Sequence, residues 1–309
     1  MDGIEGAMNS CDRREFLRIS AAAAGAEIFK HQKTPAGENM RLGLIVYSQS
    51  DPDAALRKVH DLSLPTAQLN VEDFSSEMLE KVRQAIAKYD IQVTALNSSG
   101  PGPLVYDFYR GPETIGIVPR QYRRTRIDHL KRASDFAKQL GIGAIHTHCG
   151  FIPENPADPQ YQEVVTAIKE VVGYIHSNHQ IFLFETGQES PVTLLRAIKD
   201  VGLDNQRVNL DTANLILYGK GNPVDALDVL GKYVAGLHAK DGLFPTDPTK
   251  LGEEVPIGHG KANFPVLIKR LKELNYTGPV TIEREISGPQ QLEDIRKSKA
   301  YLEQLIGEA

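Results

Sequence analysis

The chain has 309 residues, of which 41% are hydrophobic and 24% are charged, with 26 Gly and 18 Pro. These values are typical of a globular domain and argue against collagen-like, coiled-coil and disordered classes. The net charge of −5 disfavours a nucleic-acid partner, and two cysteines are too few for a disulfide framework or a thiolate metal site. No apolar run reaches the roughly 18 residues of a transmembrane helix, so no membrane partner is expected for the mature protein.

The first forty residues differ in character from the rest. Residues 12–18 read Asp-Arg-Arg-Glu-Phe-Leu-Arg, and an alanine-rich stretch follows at 19–26. Paired arginines before a short stretch of small apolar residues resemble a twin-arginine export signal, and a frayed Ala-rich helix is the alternative. We therefore expect residues 1–40 to be a signal and spacer, residues 41–309 to be the catalytic domain, and the protein to be exported to the periplasm.

Short apolar runs alternate with longer stretches of helical spacing from residue 41 onward. The predicted strands are Leu42–Tyr47, Thr66–Val71, Ile91–Leu96, Ala144–Cys149, Ile181–Glu185, Val208–Asp211, Val234–Lys240 and Val280–Glu285. The predicted helices begin at Pro52 and near Met78, and the later ones cover 120–140, 161–176, 192–200, 224–230, 264–274 and 290–306. This alternation indicates a parallel sheet covered by helices.

Eight such units without an intervening linker fit a single (β/α)8 TIM barrel of the α/β class. A doubly wound sheet, the alternative, prefers a glycine-rich loop after the first strand. The chain has Ser48-Gln-Ser-Asp-Pro52 at that position, with no glycine. We predict one barrel.

Four consecutive predicted strands carry ionisable residues at or near their carboxyl ends, namely Glu185, Asp211, His238 and Glu283. In a TIM barrel these ends meet at one mouth, where active sites lie. Three carboxylates and one imidazole suit a divalent cation with open positions for substrate oxygens, whereas Zn²⁺ more often recruits further His or Cys. We expect one divalent ion, with Mn²⁺ first and Mg²⁺, Co²⁺ or Zn²⁺ as alternatives. A set of helix caps and salt bridges is the structural alternative.

Longer motifs surround these four residues. They are Leu210-Asp211-Thr-Ala-Asn214, His238-Ala-Lys-Asp241-Gly, Pro256-Ile-Gly-His-Gly260 and Gly278-Pro-Val-Thr-Ile-Glu283. Together with Glu185 they resemble the xylose isomerase-like superfamily of sugar isomerases and epimerases. That superfamily includes D-tagatose and D-psicose 3-epimerases, hydroxypyruvate isomerase and inosose dehydratase. The resemblance covers roughly residues 41–306.

The resemblance implies a barrel with one divalent metal bound by Glu185, Asp211, His238 and Glu283. It also implies that Glu185 and Glu283 are catalytic. In the epimerases of that superfamily one such glutamate removes a proton next to a ketone and the other returns a proton to the opposite face, and a divalent metal would supply Lewis acidity to the substrate oxygens. The expected function is therefore a metal-dependent isomerase or epimerase of a keto sugar or a derivative. A dehydratase or lyase that acts on an inosose or a 3-keto-glycoside is the alternative.

Three further residues are candidates for substrate binding. Asn214 stands where the ketohexose epimerases carry a substrate-contacting histidine, and it can still hydrogen-bond a hydroxyl. His148 suits a substrate ligand or an acid/base as well as it suits a core histidine, whereas for His146 the core role is favoured. Lys240, two residues after His238, would bind a hydroxyl or phosphate, or else pair with Asp241, the next residue in the chain.

Other polar residues have simpler interpretations. Arg120, Arg123, Arg124 and Arg126 suggest an anion-binding patch, but interspersed acids favour a solvated helix face. Glu189 is interpreted as an acid at a helix N-terminus.

Two other functions fit the sequence less well. An endonuclease IV-like enzyme with three zinc ions would need more ligands and a basic DNA-facing surface, and a non-catalytic sugar-binding protein would not need two glutamates. The expected partner is a small-molecule sugar, and the family allows a homo-oligomer.

Overall fold

The computed structural model describes residues 40–48 and 50–308. The predicted export signal lies outside these residues, so its boundary and its role stay predictions. None of the described helices is long and apolar enough to cross a membrane.

Eight parallel strands close into a barrel. These are β1 (Arg41–Tyr47), β2 (Thr66–Asn70), β3 (Gln92–Asn97), β4 (Ala144–Thr147), β5 (Ile181–Glu185), β6 (Gln206–Asp211), β7 (Val234–Ala239) and β10 (Pro279–Ile282). Their order around the barrel is β1-β10-β7-β6-β5-β4-β3-β2. Two short strands, β8 (Asp241–Leu243) and β9 (Glu253–Val255), form a separate antiparallel pair. The single (β/α)8 barrel predicted from the strand pattern is confirmed.

Helices connect the strands and cover the barrel. They are α1 (Pro52–Asp61), α2 (Ser76–Tyr89), α3 (Gly111–Thr114), α4 (Arg120–Gln139), α5 (Pro159–Ser177), α6 (Pro191–Val201), α7 (Asn214–Leu217), α8 (Pro223–Leu230), α9 (Phe264–Glu273) and α10 (Pro289–Glu308), with a 3₁₀ turn at Gly231–Tyr233. Several of them begin after a side chain that accepts a backbone N–H of the first turn: Asp51, Ser75, Asp158, Ser190 and Asn222. Such caps fix where a helix starts, and the predicted helix positions agree with the observed ones to within a few residues.

In addition to Thr66–Val71, which ends at Asn70, three predicted strands end earlier than expected. The runs at 144–149, 234–240 and 280–285 stop at Thr147, Ala239 and Ile282. In the second case the backbone N–H of Lys240 donates to the hydroxyl of Thr212, at 3.1 Å, instead of to a neighbouring strand. The chain therefore leaves the barrel at the point where polar side chains begin to line the mouth.

The strand register places the candidate site residues at one level along the barrel axis. Glu185 pairs with Asn209, Asp211 pairs with His238, and His238 pairs with Thr281. Because residues two apart on a strand share a face, Leu183 lies below Glu185, and it packs with Ala95 and Ala144. A small apolar plug thus lies beneath the polar end of the barrel.

The arginines of α4 divide into two groups. Arg120 and Arg123 both pair with Glu163, and Arg124 pairs with Glu170, as expected for a charged helix face. Arg126 contradicts that interpretation, because its side chain is fully buried.

Arg126 instead holds the long connection between β3 and α4. Its guanidinium donates to the carbonyl oxygens of Pro101 (3.0 Å), Pro103 (3.0 Å), Thr114 (2.6 Å) and Gly116 (2.7 Å). A buried guanidinium is favourable here because its N–H groups satisfy carbonyls that the irregular backbone leaves unpaired.

Candidate metal centre and active site

The four predicted metal ligands meet at one point. Nδ1 of His238 lies 3.2 Å from Oε1 of Glu185, 3.2 Å from Oε2 of Glu283 and 3.7 Å from Oδ2 of Asp211. All four side chains are buried. The carboxyl ends of four neighbouring strands thus bring three carboxylates and one imidazole together.

These side chains fit a divalent cation. Among the described residues, Oε1 of Glu185, Oδ2 of Asp211 and Nδ1 of His238 are buried without a hydrogen-bond partner. Each such orphaned atom costs about 1–3 kcal/mol, and three that face one centre indicate a shared ligand. Carboxylate oxygens and an imidazole nitrogen suit Mn²⁺, Mg²⁺, Co²⁺ or Zn²⁺, and the arrangement by itself does not select one of them.

The charges of the bare cluster support the same interpretation. Burial, together with the nearby Glu283 and Glu185, raises the pKa of Asp211 to about 8. Burial opposes the charge on His238, but the adjacent carboxylates hold the pKa of this imidazole well above its usual value. The three clustered carboxylates thus favour a nearby positive charge, which a divalent cation would supply.

His238 is oriented by a neighbour across the barrel. Its Nε2 lies 2.9 Å from the side-chain oxygen of Gln68, which accepts the ring N–H and leaves Nδ1 as an acceptor directed at the cluster. The amide of Gln68 in turn donates to Oδ1 of Asn209, at 2.9 Å. Such outer contacts fix the tautomer and the direction of a histidine ligand.

Glu185 is held by two donors on one of its oxygens. Nε2 of His146 and Nδ2 of Asn209, the latter at 2.9 Å, both contact Oε2 of Glu185. Asn97 donates to Nδ1 of His146, at 2.6 Å, which leaves the proton of the ring on Nε2. His146 is therefore a buried histidine, as the sequence favoured, but it acts on a candidate ligand.

Asp211 is oriented by the turn that follows β6. Its Oδ1 accepts the backbone N–H groups of Ala213 (2.8 Å) and Asn214 (2.7 Å). These bonds begin the short helix α7 and leave Oδ2 for the cluster. The spacing from Asp211 to Asn214 in the sequence motif has this local cause.

Asp241 secures the glycine motif and does not pair with Lys240. Its carboxylate accepts four backbone N–H groups at 2.9–3.0 Å, those of Gly242, Gly258, Gly260 and Ala262. A Cβ on Gly260 would lie 2.1 Å from Oδ1 of Asp241, so this position requires glycine.

Lys240 is buried at the edge of the cluster. Its ammonium lies 2.8 Å from Glu285, 3.3 Å from the side-chain oxygen of Asn214 and 3.5 Å from Oε2 of Glu283. Burial opposes the charge, but Glu283 and the other nearby carboxylates hold the pKa of Lys240 well above its usual value. Of the two roles predicted for Lys240, substrate binding or pairing with Asp241, these contacts favour the first, because the ammonium faces the site.

A cavity of about 580 Å³ opens above the cluster. Its walls include residues that the sequence did not single out: Tyr47, Asn70, Asn97, Leu104, Tyr106, Leu217, Tyr218 and Glu285. The predicted substrate residues His148 and Asn214 also line it, together with Glu185, His238 and Glu283. The cavity combines an ionic floor with aromatic walls, as a site for a small polar molecule requires.

His148 is positioned by a glutamine. Its Nδ1 lies 3.1 Å from Oε1 of Gln188, and its ring packs edge-on against Tyr106. Burial lowers the pKa of His148 to about 4, so the ring is neutral near pH 7. With Nδ1–H on Gln188, Nε2 is an acceptor for a substrate hydroxyl.

The supporting residues were missed for a common reason. Gln68 and Asn209 are polar positions inside apolar strands, and Asn97 ends β3. An inward-facing amide in an otherwise apolar strand is the signal that points to them, since buried amides need partners.

Comparisons with known proteins agree with this fold. A family model described as xylose isomerase-like TIM barrel matches residues 56–305. A xylose isomerase domain protein from Planctomyces limnophilus is 33% identical, with a TM-score of 0.82, over 86% of this chain and 97% of that chain. An uncharacterized protein of Methanocaldococcus jannaschii is 24% identical in an alignment of 201 residues that covers 60% of this chain and 63% of that protein. The match therefore spans less than two thirds of that relative.

Two more distant structures share the fold. A D-psicose 3-epimerase crystallised in the presence of D-fructose is 16% identical, with a TM-score of 0.65, over 87% of this chain and 100% of that chain. A xylose isomerase-like protein from Mycobacterium smegmatis in complex with magnesium is 18% identical, with a TM-score of 0.65, over 87% and 97%. Since the family model spans most of the sequence and the P. limnophilus protein is 33% identical across 86% of it, this chain belongs to the xylose isomerase-like TIM barrel family.

Proposed function

We propose that the protein is a divalent-metal-dependent sugar isomerase or epimerase that acts on a keto sugar or a close derivative. The observation that carries this proposal is the convergence of Glu185, Asp211, His238 and Glu283, with three unpartnered ligand atoms, on the floor of an open cavity. Membership of the family and the likeness to a D-psicose 3-epimerase support it.

The residues of the cavity suit proton transfer next to a carbonyl. A divalent cation at the cluster would supply Lewis acidity toward a carbonyl and an adjacent hydroxyl oxygen. A carboxylate placed beside the C–H bond acts as a general base, an effect of about 10²–10⁴-fold. The candidate carboxylates for proton transfer are Glu283 and Glu185, and the proposal is compatible with transfer by one of them or by both. Lys240, Asn214 and His148 would bind and orient the hydroxyl groups.

A dehydratase or lyase is the second candidate. The cavity continues past the cluster to Tyr47, Tyr106 and Glu285. This extension leaves room for a substituent on the reacting sugar, such as the aglycone of a 3-keto-glycoside. Proton removal is common to both reactions, which diverge when the proton returns or a leaving group departs.

The test is a screen of free ketoses, inososes and 3-keto-glycosides with protein loaded separately with Mn²⁺, Mg²⁺, Co²⁺ or Zn²⁺, followed by proton NMR in deuterium oxide. Incorporation of deuterium with a new sugar isomer supports the first candidate, and a new alkene or a released aglycone supports the second. Loss of turnover in Glu185→Gln and Glu283→Gln is expected at ordinary Mn²⁺ concentrations. Full turnover in both variants, or no activity with any cation, contradicts the proposal.

Export is proposed on the sequence alone. Arg13→Lys together with Arg14→Lys should abolish accumulation in the periplasm, because the translocation machinery reads the arginine pair. Unchanged accumulation would overturn this part of the proposal.

A further inference from the structure

Glu185 and Glu283 differ in what surrounds the carboxylate oxygen that does not face the cluster. Oε2 of Glu185 receives two N–H donors, Nε2 of His146 and Nδ2 of Asn209. A carboxylate oxygen has two lone-pair positions, so both positions on Oε2 are occupied. This oxygen has no site left to accept a proton from a substrate carbon.

The other oxygen of Glu185 is directed at the cluster. Oε1 faces Nδ1 of His238 and is buried without a hydrogen bond, as expected for an oxygen committed to a cation. The side chain of Glu185 is only 1% exposed. The contacts of Glu185 are thus those of a metal ligand on one oxygen and of a structural acceptor on the other.

Glu283 leaves one oxygen free. Oε2 faces Nδ1 of His238 and the ammonium of Lys240. No hydrogen bond within residues 40–48 and 50–308 engages Oε1, and the side chain, 8% exposed, lines the cavity. Oε1 of Glu283 is therefore the accessible carboxylate oxygen of the pair.

We infer that Glu283 alone transfers protons, that Glu185 serves only as a ligand, and that the reaction takes place on one face of the sugar. This inference rests on the proposed function and narrows the type of reaction within it. His146 and Asn209 are positioning residues that hold Glu185 in its role.

The C–H bond next to the ketone breaks, the proton passes to Oε1 of Glu283, and the electron pair forms an enediolate. In an isomerisation, Glu283 returns that proton, or a solvent deuteron exchanged for it, to the former carbonyl carbon on the same face. The hydroxyl proton of the first carbon moves to the former carbonyl oxygen, and the first carbon becomes the new carbonyl. In an elimination, the C–O bond to the leaving group breaks instead, and its oxygen takes the electron pair and the proton.

The substrate class follows from this geometry. Inversion of a carbon by two groups on opposite faces needs a second proton-transfer residue, a role that the contacts of Glu185 do not permit. Ketose–aldose isomerisation and syn elimination from a 3-keto-glycoside need only one face. We therefore assign the site to substrates of one of these two kinds.

Stereochemistry tests the inference directly. D-Fructose, a 2-keto inositol and methyl 3-keto-β-glucoside are incubated with the Mn²⁺-loaded protein in deuterium oxide, and the configuration of each labelled carbon is read by NMR. Three outcomes support proton transfer on one face: deuterium at the carbon next to the ketone with its configuration retained, deuterium at the former carbonyl carbon of an isomerised sugar, or an alkene formed by elimination. An inverted carbon formed by wild type overturns the inference and leaves the proposed function intact. Absence of label, of any new sugar isomer and of any elimination product with every probe overturns the proposed function, and the inference with it.

Metal affinity separates the roles of the two glutamates without relying on turnover. We expect Mn²⁺ binding, measured by titration calorimetry, to weaken at least 10-fold in Glu185→Gln, with label exchange recovered at saturating Mn²⁺. Glu283→Gln should remain without exchange at any Mn²⁺ concentration. Failure of saturating Mn²⁺ to restore exchange in Glu185→Gln, while calorimetry shows the ion bound, overturns the inference.

His146 supplies the matched control. His146→Ala removes one donor to Oε2 and should weaken Mn²⁺ binding 10–100-fold, whereas His146→Gln retains an N–H donor and should restore most of the affinity. Gln cannot carry a proton. Loss of exchange in His146→Gln with Mn²⁺ still bound would mean that His146 relays protons for Glu185, and would overturn the inference.

Discussion

The side-chain oxygen of Gln68 lies 2.9 Å from Nε2 of His238, the nitrogen opposite the one that faces the candidate cation. This contact determines which ring nitrogen is free, because the N–H on Nε2 must have a partner when the ring is buried. The same amide donates to Asn209, which holds Glu185. Gln68 on β2 therefore contacts the candidate ligand His238 on β7 directly and the candidate ligand Glu185 on β5 through Asn209.

Replacing Gln68 with Met should lower Mn²⁺ affinity 10–100-fold, the usual cost of losing an outer contact to a metal ligand. The change retains most of the side-chain volume but removes the acceptor for His238 and the donor for Asn209. Titration calorimetry measures the affinity. Gln84→Met, at an exposed position of α2, is the control and should bind Mn²⁺ like wild type. Equal affinities of the two variants would contradict the role of Gln68.

Asp241→Asn should destabilise the fold by about 2–3 kcal/mol, because charge-assisted bonds are lost and an amide N–H is set against backbone N–H donors. The four backbone donors to Asp241 come from β8 and from the loop that contains Gly258 and Gly260. Urea unfolding measures the difference. Asp128→Asn, which removes an exposed pair with Arg124, should cost no more than about 1 kcal/mol. A similar small loss at Asp241 would contradict this account.

The convergence of the candidate ligands was predictable because the barrel imposes their position. Glu185 and Asp211 are the last residues of β5 and β6, and His238 is the penultimate residue of β7. Alternate residues of a strand point into the barrel, and such a residue at the carboxyl end of the strand faces the mouth of a TIM barrel. Once the strands had been located, the chain order of these residues was enough to place them together.

The supporting contacts were not predictable in the same way. Gln68 and Asn209 are 141 positions apart in the chain and meet only because the closed sheet brings them face to face. The cavity walls depend on the loop that carries Leu104 and Tyr106, and the conformation of this loop depends on Arg126. These contacts arise from tertiary packing, which leaves no local periodicity in the sequence.

Arg126→Met should destabilise the protein by about 3 kcal/mol, since four carbonyls lose their donor and not all of them gain water instead. The loop from Pro101 to Gly116 would loosen, and Tyr106 with it. The substrate KM, once a substrate is identified, should therefore rise more than kcat falls. Arg124→Met, which removes only exposed ion pairs, should change the free energy of unfolding by less than about 1 kcal/mol. Equal effects of the two variants would contradict the role of Arg126.

Glu189 provides a test through the pH dependence of stability. It precedes the N-cap Ser190 of α6, as expected of an acid near a helix start, but it is only 3% exposed, and its Oε2 has no partner among the described residues. Burial raises the pKa of this carboxyl from 4.5 to about 8, against a weaker opposing effect of Lys220.

The folded chain therefore binds this proton more tightly than the unfolded chain does. Between pH 4.5 and about 8 the folded state carries more protons, so the free energy of unfolding falls as pH rises, by about 1.4 kcal/mol per pH unit for one whole proton. Glu189→Gln does not titrate and should lose this dependence. From pH 5 to pH 8, the free energy of unfolding of Glu189→Gln should rise by about 3 kcal/mol relative to that of wild type, as measured by urea unfolding. Glu77→Gln, at an exposed position of α2, is the matched control. If the free energies of unfolding of Glu189→Gln and wild type differ by the same amount across this pH range, Glu189 is ionised in the folded protein and the prediction is wrong.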